Sequence, residues 1–107
     1  MDSIKLAHEA EKILDNKKAL NIKVIKVEDV SILSDYMVIA TGTSSTHVNA
    51  LADELEYKLK QIGITPSHIE GHRSNSWILL DYSSVVVHIF SDEARNFYNL
   101  ERLWENL

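Results

Sequence analysis

Two apolar runs, Trp77-Ile78-Leu79-Leu80 and Val85-Val86-Val87-His88-Ile89-Phe90, are separated only by Asp81-Tyr82-Ser83-Ser84. Such runs joined by a short turn near Tyr82-Ser83-Ser84 read as a β-hairpin. A hairpin is an antiparallel pair, so this chain must build a sheet. Alternation along the first run places Trp77, Leu79 and Asp81 on one face and Ile78 and Leu80 on the other. Both faces are largely apolar. One covers the core, and Trp77 and Leu79 then face either a helix or a partner.

The remaining segments supply the rest of the sheet and its cover. Residues 3–16 carry Leu6, Ala10, Ile13 and Leu14 as a helical stripe, with Ser3 as the expected cap. Asn21 to Val27 alternates as a strand: Ile22, Val24 and Lys26 face one way, and Lys23, Ile25 and Val27 the other. Ser31 to Ser34 reads as a turn or single helical turn. Asp35 to Thr41 is a nearly continuous apolar run ended by Gly42, the pattern of a buried central strand. Val48, Leu51, Leu55, Leu59 and Ile62 define a second helix, capped by Ser44 or Ser45 and ended by Gly63. Pro66 opens a short strand segment, Ser67 to Glu70, closed by Gly71, and the polar HRSNS that follows is a loop.

From Ser91 onward the chain reads as helical, with Ser91 as cap, Asp92 and Glu93 at the positive helix end, and Asn99 as a point of division. A continuous stripe there takes Phe97, Leu100, Trp104 and Leu107, with Tyr98 beside it. The order α-β-β-α-β-β-β-α implies an α+β fold, with a single mixed β-sheet of about five strands packed with helices. The long crossover through the second helix permits one parallel pair. No repeat, low-complexity tract or linker interrupts residues 1–107, which are expected to form one domain.

Charge and residue usage narrow the function. The net charge is −5, and from Asp81 to Leu107 five carboxylates outnumber two arginines. Autonomous nucleic-acid binders present a basic face, because counterion release supplies much of their affinity. Primary nucleic-acid binding is therefore disfavoured, and a basic protein partner is compatible. The absence of cysteine removes disulfides, thiolate metal sites and a cysteine nucleophile. The N-terminus lacks the apolar core of a secretory signal, and no apolar run approaches the length of a membrane span.

The stretch Thr41-Gly42-Thr43-Ser44-Ser45 raises a sharper possibility. Strand, glycine, hydroxyls and helix can form an anion cradle. However, the lysine of a P-loop is missing. Nucleotidyl transfer would also need paired carboxylates on a neighbouring strand to hold Mg²⁺, and the next acids, Asp53, Glu54 and Glu56, lie on the helix. The favoured reading is a structural helix cap. The alternative is a nucleotide-binding enzyme, or a nucleotidyltransferase relic, using Gly42 to Ser45. His68 and His72 have ligand spacing only on a helix, which Pro66 and Gly71 oppose, and His88 among valines reads as a hydrogen-bonded core residue. No GxSxG elbow marks a serine hydrolase. The residues thus offer no catalytic group, cofactor or metal site. Tryptophan, tyrosine and arginine, the side chains that most often anchor protein interfaces, instead gather in the hairpin and tail.

Three segments, SDYMVIATGTSSTHVNALADELE, IEGHRSNSWILLDYSSVVVHIF and RNFYNLERLW, resemble the ribosomal silencing factor family, also called RsfS or Iojap. The likeness runs in one register from about Leu6 to Trp104. It implies a small αβ domain with a nucleotidyltransferase-like shape but without that enzyme's carboxylates. It also implies a factor that binds protein number fourteen of the large ribosomal subunit, obstructs subunit joining and lowers translation when nutrients are scarce. Free members commonly form homodimers, and the expected compartment is a bacterial cytosol. Carried over residue by residue, the family's contact surface falls on Trp77, Leu79, Tyr82, Arg95 and Tyr98, with Asn99 and Leu100 adjoining. Two departures from the family pattern stand out: Ser83-Ser84 replaces a common Gly-Asp turn, and Tyr82 replaces the leucine of some relatives.

Overall fold

A computed structural model describes residues 1–28, 34–71 and 74–105. The elements follow the order α1 (Ser3–Asn16), β1 (Leu20–Lys26), β2 (Tyr36–Gly42), α2 (Ser45–Gln61), β3 (His68–Glu70), β4 (Trp77–Asp81), β5 (Val85–Ser91), α3 (Asp92–Tyr98) and α4 (Leu100–Glu105). Five strands form one sheet in the order β1-β2-β5-β4-β3. The central β2 and β5 are parallel, and the other neighbours are antiparallel. The mixed sheet expected from the sequence is therefore present, and the crossover through α2 leads to its parallel pair. Ser31 to Leu33 of the expected turn lie outside the described residues.

Helices α1 and α2 pack on one face of the sheet. Leu14, Leu51, Leu55 and Leu59 from the helices meet Val38, Ala40, Ile78, Leu80, Val87 and Ile89 from the strands, all but fully buried. Each such leucine, isoleucine or valine side chain contributes about 1.5–3 kcal/mol by leaving water. On the other face, α3 packs on β2 and β5, and α4 on β1. That second core is smaller, with Ile25, Met37, Ile39, Phe90 and Ala94 buried and Trp77 and Leu100 partly buried against them.

Local chemistry sets the ends of the elements. Asp2, rather than Ser3, caps α1, accepting a hydrogen bond from the Lys5 amide at 3.0 Å. Ser3 already has a helical position, so its hydroxyl does not fill the cap role. Ser44 caps α2. At the far end, Gly63 adopts φ +84°, and the amides of Gly63 and Ile64 donate to the carbonyls of Lys60 and Leu59. This is a Schellman closure.

Candidate functional site

The site begins where β4 begins. Gly71 precedes the strand at φ +73°, and a Cβ there would lie 2.2 Å from the Trp77 carbonyl oxygen. Only glycine fits that backbone approach. Ser74 Oγ then accepts from the Trp77 amide at 3.3 Å, while Asn49 Nδ2 on α2 donates to the Ser74 carbonyl at 3.0 Å. The start of β4 is thus fastened to a helix on the opposite side of the sheet, and Trp77 enters the strand at a defined position.

The Trp77 indole lies in an aromatic group on the α3 side of the sheet. Its ring centroid is 4.7 Å from that of Tyr98, 5.0 Å from Phe90 and 5.8 Å from His88, all in tilted arrangements. The indole Nε1–H donates to His88 Nδ1 at 3.0 Å. His88 is buried, and burial lowers its pKa to about 4, so the ring is neutral at neutral pH. With Nδ1 accepting, its proton resides on Nε2. Leu79 pairs with His88 across the β4–β5 ladder and is half-buried on the same face as Trp77.

The other side of the site is built by α3 and α4. Ser91 Oγ caps α3 by accepting from the Ala94 amide, and Asp92 and Glu93 occupy the first turn. Asn99 takes the left-handed conformation, φ 49° and ψ 51°, and separates the two helices as expected. The break leaves Phe97 80% exposed, so the expected continuous stripe from Phe97 through Leu100 does not form. Leu100 does turn inward, onto the smaller core. The Trp104 side chain and Leu107, the rest of that stripe, lie outside the described part. Tyr98 is about half exposed and packs its ring on Trp77 and, edge-to-face, on Phe97.

Trp77, Leu79, Tyr98, Asn99 and Leu100 therefore fall on one side of the sheet. Two of the expected contact residues do not present themselves there. Tyr82 is buried in the α1–α2 core, since the residue after β4 has the phase of Ile78 and Leu80. Its hydroxyl is buried with no hydrogen-bond partner among the described residues. Burial, and then the Glu56 carboxylate, push its pKa well above the usual range. Arg95 is 7% exposed, and its donors are engaged internally. Nη1 donates to Thr41 Oγ1 at 2.9 Å and Nη2 to Glu101 Oε2 at 2.7 Å, with Nε also directed at the Glu101 carboxylate. Arg95 thus clips α3 to β2 and to α4 instead of offering a free charge. Conversely, His88 and Phe97 belong to the site without having been singled out for it.

The Gly42–Ser45 turn is a tight cap. A Cβ on Gly42 would lie 2.8 Å from Val48 Cγ2 and 2.9 Å from the Val48 amide nitrogen. Three nearby amides are engaged: that of Thr43 donates to His47 Nδ1, that of His47 to Ser44 Oγ, and that of Val48 to the Ser44 carbonyl. His47 Nε2 in turn donates to the Lys17 carbonyl at 2.9 Å, tying the end of α1 to the start of α2. An anion drawn to these three amides would have to displace their bonds. Among the described residues no group of three or more His, Cys, Asp or Glu could hold a metal ion. His68 lies on strand β3, and His72 falls outside the described residues. No described helix is long and apolar enough to cross a membrane.

A family model described as "Ribosomal silencing factor during starvation" matches residues 1–107. The chain belongs to this family. It is 44% identical over 91 residues to a ribosomal silencing factor from Zymomonas mobilis, covering 85% of this chain and 68% of that protein. A counterpart from Halalkalibacterium halodurans is 35% identical over 104 residues, covering 97% and 89% respectively. A crystal structure of a protein from Chromobacterium violaceum superposes with a TM-score of 0.95 at 33% identity, covering 98% of this chain and 88% of that one. The Zymomonas and Halalkalibacterium relatives are named for silencing ribosomes and not for a reaction.

Proposed function

We propose that the chain acts as one unit that binds the large ribosomal subunit through its protein number fourteen, using the face around Trp77. While bound, it occupies volume that the small subunit needs, and translation falls when nutrients are scarce. No bond is made or broken, so inhibition scales with the concentration of the factor and reverses on dilution. The free chain forms a homodimer, and its compartment is the bacterial cytosol.

The observation that carries this reading is the contiguous aromatic surface formed by Trp77, Tyr98 and the exposed Phe97. Large exposed aromatics gathered on one face, with Leu79 beside them, mark a surface made for another molecule. Trp77 is the anchor, Leu79 and Tyr98 are its apolar neighbours, and Asn99 and Leu100 adjoin. Arg95 supports this face from within, whereas Tyr82 belongs to the core on the opposite side of the sheet. An interface of ordinary size buries about 1,200–2,000 Å² in total, enough for useful affinity.

Replacing Trp77 with Glu and measuring cosedimentation with large subunits tests the reading. Loss of the anchor should cost about 2–4 kcal/mol, or about thirty- to a thousandfold in affinity. A folded variant that binds as before would show that the docking face lies elsewhere.

A further inference from the structure

Trp77 could meet a partner only as well as its ring is held. On the reading of this face as the docking surface, we propose that His88 is a positioning residue whose Nδ1 atom holds the Trp77 indole ready to dock. The register explains the geometry: Trp77 stands opposite Phe90, and His88 lies two residues away on the same face of β5. Phe90 and Tyr98 limit the ring by contact, at 5.0 and 4.7 Å between centroids. Such tilted ring contacts carry little direction of their own. The Nε1–H···Nδ1 bond, at 3.0 Å, supplies direction.

The acceptor matters a second time when a partner covers the face. Docking strips water from the indole N–H, and an N–H without an acceptor then loses a hydrogen bond it had in solution. His88 satisfies that donor before the partner arrives, so the partner need only provide apolar surface over the ring. A buried neutral imidazole suits the task, since a carboxylate in that place would be a buried charge, and a leucine would leave the donor unpaired.

The test uses the full chain carrying Trp104→Phe, so that Trp77 is its only indole. His88→Leu removes the acceptor, and His88→Asn places an amide oxygen near the position of Nδ1. For His88→Leu we expect the Trp77 indole proton to shift its NMR resonance and exchange with solvent at least tenfold faster. Affinity for large subunits should fall about five- to a hundredfold, and His88→Asn should recover most of both. If His88→Leu does not fold, a benzothiophene analogue of Trp77, in which sulfur replaces the N–H, should weaken binding about threefold through lost pre-organisation. An unchanged indole resonance and exchange rate in His88→Leu would overturn the lock. A broken lock with unaltered affinity, or an unaltered affinity for the benzothiophene analogue, would overturn its role in docking. Wild-type affinity in Trp77→Glu would instead overturn the docking reading itself, and this inference with it.

Discussion

Strand β4 presents the contrast on which this protein depends. Leu80 and Leu79 are neighbours in sequence, yet Leu80 is wholly buried beneath the α1–α2 layer while Leu79 is half-buried beside Trp77. One face of the same strand is committed to stability, and the other retains apolar surface that a core would normally consume. The difference arises from what lies above each face. Two long helices seal the first, whereas the second carries short helices broken at Asn99. The short break is what leaves Phe97 and part of Tyr98 in solvent.

The largest effect that could break this contrast is a truncation on each side. Leu80→Ala should lose about 2–5 kcal/mol of stability, measured by denaturant unfolding, while the molecules that remain folded bind large subunits as before. Leu79→Ala should do the reverse, costing less than about 1 kcal/mol of stability but weakening subunit binding severalfold. Equal stability losses from the two would erase the distinction between the faces.

A pH titration sharpens it further. His88 titrates near 6.5 when unfolded and at about 4 when folded, because burial disfavours its charged form. The unfolded chain therefore binds more protons between those values, so stability falls as pH drops through 6.5 and levels off below about 4. The full contribution is about 3 kcal/mol. Comparing unfolding of the wild type and His88→Leu across that range should show the slope diminished in the variant.

Smaller effects probe the covered face. Tyr82→Phe removes a buried hydroxyl that has no partner among the described residues. It should raise stability by about 1 kcal/mol and leave ribosome binding unchanged, whereas weakened binding would return Tyr82 to the contact surface. Ser83 turns the hairpin at φ 70°, a conformation that costs a side-chain-bearing residue but not glycine. Ser83→Gly should therefore raise the melting temperature slightly, by about 0.5 kcal/mol of stability.

These contrasts also show what could be read from the residues alone. The hairpin, the two long helices and the buried β2 were legible because their apolar periods and their bounding glycines and caps agree. The phase of β4 was legible too: counting from Ile78 and Leu80 leads to Tyr82, and the pattern carried over from the family obscured that inward direction. Arg95 was different. Its partner Glu101 lies beyond the left-handed Asn99, and only the turn angle there brings the two side chains together. A periodic reading assumes a continuous helix, so it paired Phe97 with Leu100 when the break had rotated them apart. His88 was recognisable as a hydrogen-bonded strand histidine, but its partner depended on the register of β4 against β5.

On the proposed function, occupancy of the large subunit excludes the small one. The most direct measurement loads large subunits with the factor to saturation, adds small subunits, and follows joined particles and bound factor together in a sucrose gradient. Joined particles should disappear as bound factor rises and return when it is diluted away. Joined particles that still carry the factor at full occupancy would contradict it.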